Sequence, residues 1–244
     1  CEQDVSNQGT GLTLDRHAAR VFVPLWQDET QEWALHAKVG VWDIETNARL
    51  TIPGVELPTH LWDLSFGGAW RRRLENDWIL GADVEIGSPS DEPFETCEEV
   101  SVTALGNLRI PSGERNAWLF FLQYSNDRSF LRHVPLPGAA YQWVPDPRRL
   151  RAVIGVPFAS LWAQPIDRLT VEFRYLLLRQ VHAKVGYRVL KALTVYGAFD
   201  WDNDRFFRAG RTDGDDRLFY YEKRLTTGVQ WDIAEGLSVD VSGG

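Results

Sequence analysis

The chain has 244 residues, 44% of them hydrophobic, with eleven Trp, twelve Phe and seven Tyr. No apolar run approaches the roughly 18 residues that a membrane helix needs. That excludes a helical membrane protein but not a β-barrel, whose lumen-facing half is polar. A formal net charge of −8 argues against nucleic acid as a partner, and the hydrophobic content argues against disorder.

The sequence contains no Met, even at position 1, so the start codon is expected outside it. Cys1 and Cys97 permit one disulfide, which an exported protein can keep. Lipidation of Cys1 and the absence of any special role are the alternatives.

Residues 1–19 are polar and contain glycine, and no strand is placed there; a barrel domain is expected over 20–244. Arg20 to Trp26 is a short β candidate. Over Trp33 to Asp43, Trp33, Leu35, Ala37, Val39 and Val41 oppose His36 and Lys38. A connection containing Pro53 and Pro58 leads to a hairpin from Leu61 to Gly87. There Trp62, Leu64, Phe66 and Trp70 alternate with Asp63, Ser65 and Arg71, and Trp78, Leu80, Ala82, Val84 and Ile86 with Asp83 and Glu85. Strand side chains point alternately to opposite faces, so each strand has an apolar and a charged side. Trp62 and Trp70 share a face eight residues apart. On a tilted strand that spacing spans roughly 20 Å, close to the height of a lipid-facing band.

An acidic loop from Ser88 to Cys97 precedes a strand expected over Glu98 to Ile110. After the turn at 111–115, Trp118, Phe120, Leu122 and Tyr124 share a face. A loop from Asn126 to Pro137 leads to Ala139-Tyr141-Trp143. Leu150 to Val156 and Phe158 to Gln164 read as two strands meeting at Val156-Pro157, with one long kinked strand as the alternative. Leu169, Val171, Phe173, Tyr175 and Leu177 then oppose Arg168, Thr170, Glu172 and Arg174. Val181, Ala183, Val185, Tyr187 and Val189 oppose His182, Lys184 and Arg188. Leu193, Val195, Phe199 and Trp201 lead into an Asp-rich loop expected over Asp202 to Asp216, followed by strands at Phe219 to Asp232 and Leu237 to Ser242.

Short turns fall on alternate connections, and the longer loops 44–61, 88–97, 126–137 and 203–217 on the others, with short exceptions near Val156-Pro157 and Leu178-Arg179. This is the habit of outer-membrane barrels. Outward aromatics sort by depth. Trp33, Trp70, Trp78, Trp118, Trp143, Tyr187 and Trp231 collect at the short-turn end; Trp62, Tyr124, Tyr175, Trp201 and Tyr221 collect at the long-loop end. Two aromatic girdles explain that sorting, and a soluble sandwich does not. The expected fold is all-β: an antiparallel up-and-down transmembrane β-barrel of about 12–14 strands.

Leu64-Ser65-Phe66-Gly67-Gly68, the segment from Val153-Ile154-Gly155-Val156-Pro157 to Gln164-Pro165, and Ala183-Lys184-Val185-Gly186-Tyr187-Arg188 resemble a family of uncharacterised bacterial outer-membrane β-barrel proteins. The likeness spans most of the chain from about residue 20. It implies a fold and a location, supplies no catalytic residues, and leads us to expect one further strand beyond Gly244, so that the C-terminal strand is missing here.

The charges expected to line the lumen are Arg71, Arg73, Asp83, Glu85, Glu99, Arg109, Arg168, Glu172, Arg174, His182, Lys184, Arg188, Glu222 and Arg224, with Asp63, Arg151, Asp200 and Asp240 on the same faces. Nine positive against eight negative positions nearly balance. They read either as a polar conduit or as a ladder of ion pairs filling a narrow barrel, and the filled lumen is favoured. Asp200-Trp201-Asp202-Asn203-Asp204, with Asp213, Asp215 and Asp216, resembles the start of a calcium loop but lacks its sixth-position Gly and closing Glu. The histidines at 17, 36, 60, 133 and 182 show no metal-ligand spacing, and no Gly-x-Ser-x-Gly occurs.

The expected function is a non-enzymatic outer-membrane barrel, structural or a narrow channel, without a cofactor. Its partners are the lipid bilayer and either a small polar solute or other envelope proteins. Long loops should face out of the cell and short turns the periplasm. Two other classes compete: a soluble exported β-sandwich or barrel acting as a binding module, and an outer-membrane lipid hydrolase built around His182.

Overall fold

The period-2 alternation is realised as fifteen consecutive antiparallel strands in one sheet, seen in a computed structural model. The structure describes residues 2–5, 10–47, 57–128, 131, 133–177, 179–209, 217–234 and 237–244. The strands are β1 (Glu2–Val5), β2 (Thr10–Gln27), β3 (Gln31–Thr46), β4 (His60–Arg73), β5 (Ile79–Ser90), β6 (Ser101–Ser112), β7 (Asn116–Ser125), β8 (Leu136–Asp146), β9 (Leu150–Val156), β10 (Phe158–Ile166), β11 (Leu169–Leu176), β12 (Gln180–Leu190), β13 (Leu193–Phe207), β14 (Arg217–Ala234) and β15 (Leu237–Gly243). Every strand pairs with its sequence neighbours, the connectivity expected of an up-and-down barrel. Pro89, Pro111, Pro137, Pro145 and Pro165 lie within two residues of strand ends, where a missing N–H is tolerated.

The sheet closes on itself. β5 and β13 run past their neighbours β6 and β12, and their tips meet in one parallel pairing, Phe207 opposite Ser90. This makes a closed nine-strand barrel, β5–β13, with β1–β4 continuing the sheet on one side and β14–β15 on the other. Ser88 and Ser90 are fully buried there. The Ala209 amide donates to Asp91 Oδ1 at 2.7 Å, which fastens the two strand exits together. Arg217, at the start of β14, ion-pairs with Asp127 in the β7–β8 loop and lies 4.1 Å from the Phe207 ring centroid.

Connections alternate in length as expected. β2–β3, β4–β5, β6–β7, β8–β9, β10–β11, β12–β13 and β14–β15 are joined by short turns at one end. The longer loops between β3–β4, β5–β6, β7–β8 and β13–β14 lie at the other, with short exceptions at Pro157 and at 177–179. β9 and β10 are two strands that reverse at the cis Val156–Pro157 bond, not one kinked strand.

Four expectations need correction. The fifteen strands exceed the 12–14 expected, although the closed ring uses nine. Residues 1–19, where no strand was expected, hold β1 and the first half of β2. β6 starts at Ser101, because residues 97–99 form a 3₁₀ turn closed by a Thr96–Glu99 capping box. Asp202 to Phe207 are not loop but the end of β13, paired with β14.

The β2–β3 turn is built by Asp28. Its carboxylate accepts from the Thr30 amide at 2.7 Å, the Gln31 amide at 2.8 Å, Thr30 Oγ1 at 2.8 Å and Trp26 Nε1 at 3.1 Å. These bonds, the Thr30 amide first, hold its carboxyl well below the usual carboxylate range. A depressed folded value adds stability above the unfolded value of about 3.9 and loses it as pH falls through the folded one. The Thr30 and Gln31 amide resonances should therefore titrate with a midpoint below about 3.9. A midpoint at or above that value would rule out the Asp28 turn.

Candidate functional site

The outer face is apolar and uncovered. Phe66 is 57% exposed, Ile154 66% and Leu225 74%, with Leu35, Val84, Leu122, Phe173, Val185, Val195 and Val229 also open. Most are mid-strand positions, while Val195 and Val229 lie level with Tyr187, and all are on the faces that alternation assigned outward. A packed sandwich would bury them, and monomers rarely leave a contiguous apolar patch larger than a few hundred Å².

Aromatic residues bound this belt. Trp33, Trp70, Trp118, Trp143, Tyr187 and Trp231 each lie within three residues of the short-turn end of their strand, and Trp78 is in the β4–β5 turn. Trp33 and Trp70 are register partners with ring centroids 6.0 Å apart, and Trp118 packs on Tyr141 at 4.8 Å. At the other end Trp62, Tyr124 and Tyr175 sit within two residues of strand ends. Trp201 is deeper in β13, but it pairs with Val181, the second residue of β12, so it too is level with a strand end. Tyr221, opposite Asn203, is 63% exposed.

The inner face carries the charges, and most of them are partnered. His36 Nε2 lies 3.0 Å from Asp83 Oδ2, and its Nδ1 lies 3.7 Å from Glu85 Oε2. This bond skips a strand. His36 is on β3 and Asp83 and Glu85 are on β5; Gly67 of β4 lies between, in register with His36 and Glu85. A Cβ on Gly67 would sit 2.6 Å from His36 Cε1, so glycine leaves the space the ring crosses. Lys38 pairs with Asp63, Arg71 with Glu32, and Arg73 with Asp77. Arg109 Nε donates to Gln142 Oε1 at 3.4 Å.

A second group is continuous. Arg16 lies 3.7 Å from Asp204 and 4.0 Å from Glu222; Glu222 lies 3.6 Å from Arg224. Arg224 lies 4.0 Å from Asp200, whose other carboxylate oxygen is 2.6 Å from His182 Nδ1. Six charged or titratable groups thus run from β2 to β13, β14 and β12 along their inner faces. Each link is partly exposed, so each is worth little alone; the network fixes geometry more than it stabilises.

Beyond this network the long-loop end is apolar. Trp42 is 0% and Phe206 1% exposed, their rings edge-to-face at 4.9 Å, with Ile44 and Leu61 buried beside them. Leu12, Leu14, Leu218 and Tyr220 pack against the cluster, and the Arg16 guanidinium lies 4.6 Å over Trp42. The longest strands, β2, β3, β13 and β14, here turn inner face to inner face. One wall of the ring is apolar too. Phe121 and Phe158 pack at 5.2 Å, and Trp162 lies under Arg151 at 5.6 Å.

Glu172 and Arg174 face inward on β11 opposite Lys184 and His182. Arg188 is exposed near the end of β12. Two expected lumen charges are placed elsewhere. Glu99 is 2% exposed in the capping box, where it accepts from Thr96, and Arg168 is in the β10–β11 turn. Arg16, Lys38 and Asp204 were not among the expected lumen charges.

Asp200 to Asp204 lie on a strand, which gives them no calcium-loop geometry; Asp213, Asp215 and Asp216 fall outside the described residues. His17 and His60 both approach Asp43, at 3.9 and 2.7 Å, on the outer face. Among the described residues no group of three or more His, Cys, Asp or Glu is arranged to hold a metal. Among them, too, no serine hydroxyl is hydrogen-bonded to His182, whose partner is Asp200. Cys97 is a free, exposed thiol in the 3₁₀ turn, and Cys1 lies outside the described residues.

Fold and faces together define an all-β up-and-down barrel, apolar outside and charged within. Comparison with protein-family models, with curated proteins and with solved structures finds no match.

Proposed function

We propose that the chain is a lipid-embedded β-barrel of a bacterial outer membrane, non-enzymatic, with a structural or narrow-channel role. One observation carries this reading: the uncovered apolar belt is bounded by aromatics at both strand ends, the pattern that a bilayer of fixed thickness selects. The soluble binding module is the weaker alternative, because it requires the Trp118 face to be covered, and Trp118 is 47% exposed. The resemblance in sequence supports the same location. In this reading the long loops face outward and the short turns the periplasm.

The interior favours restriction over free passage. The Arg16-to-His182 network and the Trp42–Phe206 cluster pack the inner faces of β2, β3, β13 and β14 together, and Phe121 and Phe158 pack on the inner wall of the ring. Ion selectivity needs a wall of one sign, whereas paired charges cancel beyond about one Debye length, roughly 8 Å in physiological salt. In planar bilayers the protein should therefore conduct weakly and with little preference between small ions. A large, steadily open, strongly anion-selective conductance would contradict this.

A further inference from the structure

Among the described residues the interior cation Lys184 stands outside the ion-pair network, and it faces a cavity. The cavity, about 480 Å³, lies along β12–β15 and is lined by His182, Lys184, Tyr196, Asp200, Arg224 and Ser242 together with small residues. Tyr196 is set by a glycine: it pairs in register with Gly228, where a Cβ would lie 2.6 Å from the Tyr196 hydroxyl oxygen. The ring crosses this gap, and its hydroxyl donates to Asp240 Oδ1 at 2.5 Å. The Lys184 ammonium sits 3.7 Å from the centroid of that ring.

Lys184 is flanked in register by Glu172 on β11 and Ala198 on β13. It leans away from Glu172. Among the described residues no carboxylate oxygen lies within the 4.0 Å of an ion pair from its ammonium. The other charges of the cavity are committed: Asp200 to His182 and Arg224, and Arg224 also to Glu222. Two cations, Lys184 and Arg224, therefore line the cavity against the single anion Asp200. A ring face satisfies one side of an ammonium and leaves its N–H donors free. Arg224 keeps donors as well, because its carboxylate contacts, at 3.6 and 4.0 Å, are longer than hydrogen bonds.

We propose that this cavity binds the carboxylate or phosphate group of a small solute, with Lys184 as the counter-charge and Arg224 as a further donor. The site belongs to the inner wall and does not depend on what covers the outer face. A chain that proves soluble without detergent would end the membrane reading and leave this one standing.

Equilibrium dialysis of the full chain against radiolabelled acetate and against inorganic phosphate tests it. At least one of the two anions should bind saturably at one equivalent, and which one does so separates carboxylate from phosphorylated solutes. Lys184→Met keeps the length of the stem and should weaken binding about tenfold or more, while Lys184→Arg should retain it. Arg174→Met removes an inner cation that does not line the cavity and should bind as the wild type does. Absence of saturable binding of both anions to the wild type would overturn the site. So would a folded Lys184→Met that binds as tightly as the wild type. Should Lys184→Met not fold, the wild-type dialysis decides alone.

Discussion

Trp42→Ala is expected to destabilise the barrel by about 3–5 kcal/mol, the cost of emptying a buried aromatic site. Trp42 is 0% exposed and packs edge-to-face on Phe206, so its removal leaves a cavity that Ile44 and Leu61 can only partly refill. It also removes the ring beneath the Arg16 guanidinium, which holds Asp204 and Glu222 from the opposite strands. Denaturant unfolding, followed by the loss of β-sheet circular dichroism, measures the effect. Trp231→Ala is the control, because Trp231 is 55% exposed on the outer face. A Trp42→Ala loss under about 1 kcal/mol, the range of ordinary surface substitutions, would mean that the cluster does not hold the long-loop end together.

Val185→Arg is expected to cost about 2–4 kcal/mol in a bilayer, the penalty for a cation on the lipid face of a barrel at mid-membrane. Val185 is the middle residue of β12, points outward and is 50% exposed. In water an arginine there would be tolerated within about 0.5 kcal/mol, so the same substitution separates the two environments. Refolding titrations into lipid vesicles measure the difference, with Lys191 in the β12–β13 turn as the site for a second, interfacial Arg. Equal stability of Val185→Arg and wild type would place that face against water.

The strand faces were legible because a strand has only one period. Leu169 to Tyr175 and Val181 to Val189 put alternate side chains on opposite faces whatever lies beyond them. The turn at Pro157 was legible from its proline. What failed has a common cause at the long-loop end. There β2 and β3 invert their polarity: Leu12, Leu14, Trp42 and Ile44 point inward, while Asp15, His17, Asp43 and Glu45 point outward. Apolar-out alternation misreads such a segment, so the first half of β2 was missed and with it Arg16. Asp202 and Asp204 looked like loop residues by composition, and only pairing with Glu222 and Tyr220 across β14 makes them strand.

Other misses left a signal. Thr96-Cys97-Glu98-Glu99 carries the Thr-x-x-Glu spacing of a capping box, and it argues against starting a strand at Glu98. Gly67 and Gly228 are unexplained as strand residues until their partners are known to be His36 and Tyr196. Each glycine lets a long polar side chain reach the strand beyond its neighbour. The unpaired state of Lys184 was not legible, because Glu172 is its register partner and only the side-chain direction separates them.

Fractionation of cells expressing the full-length protein tests the central claim most directly. If the belt from Phe66 to Leu225 meets lipid, the protein should sediment with the outer membrane, resist extraction by carbonate and come into solution only with detergent. Recovery of the folded, full-length protein in the soluble fraction without detergent would contradict it.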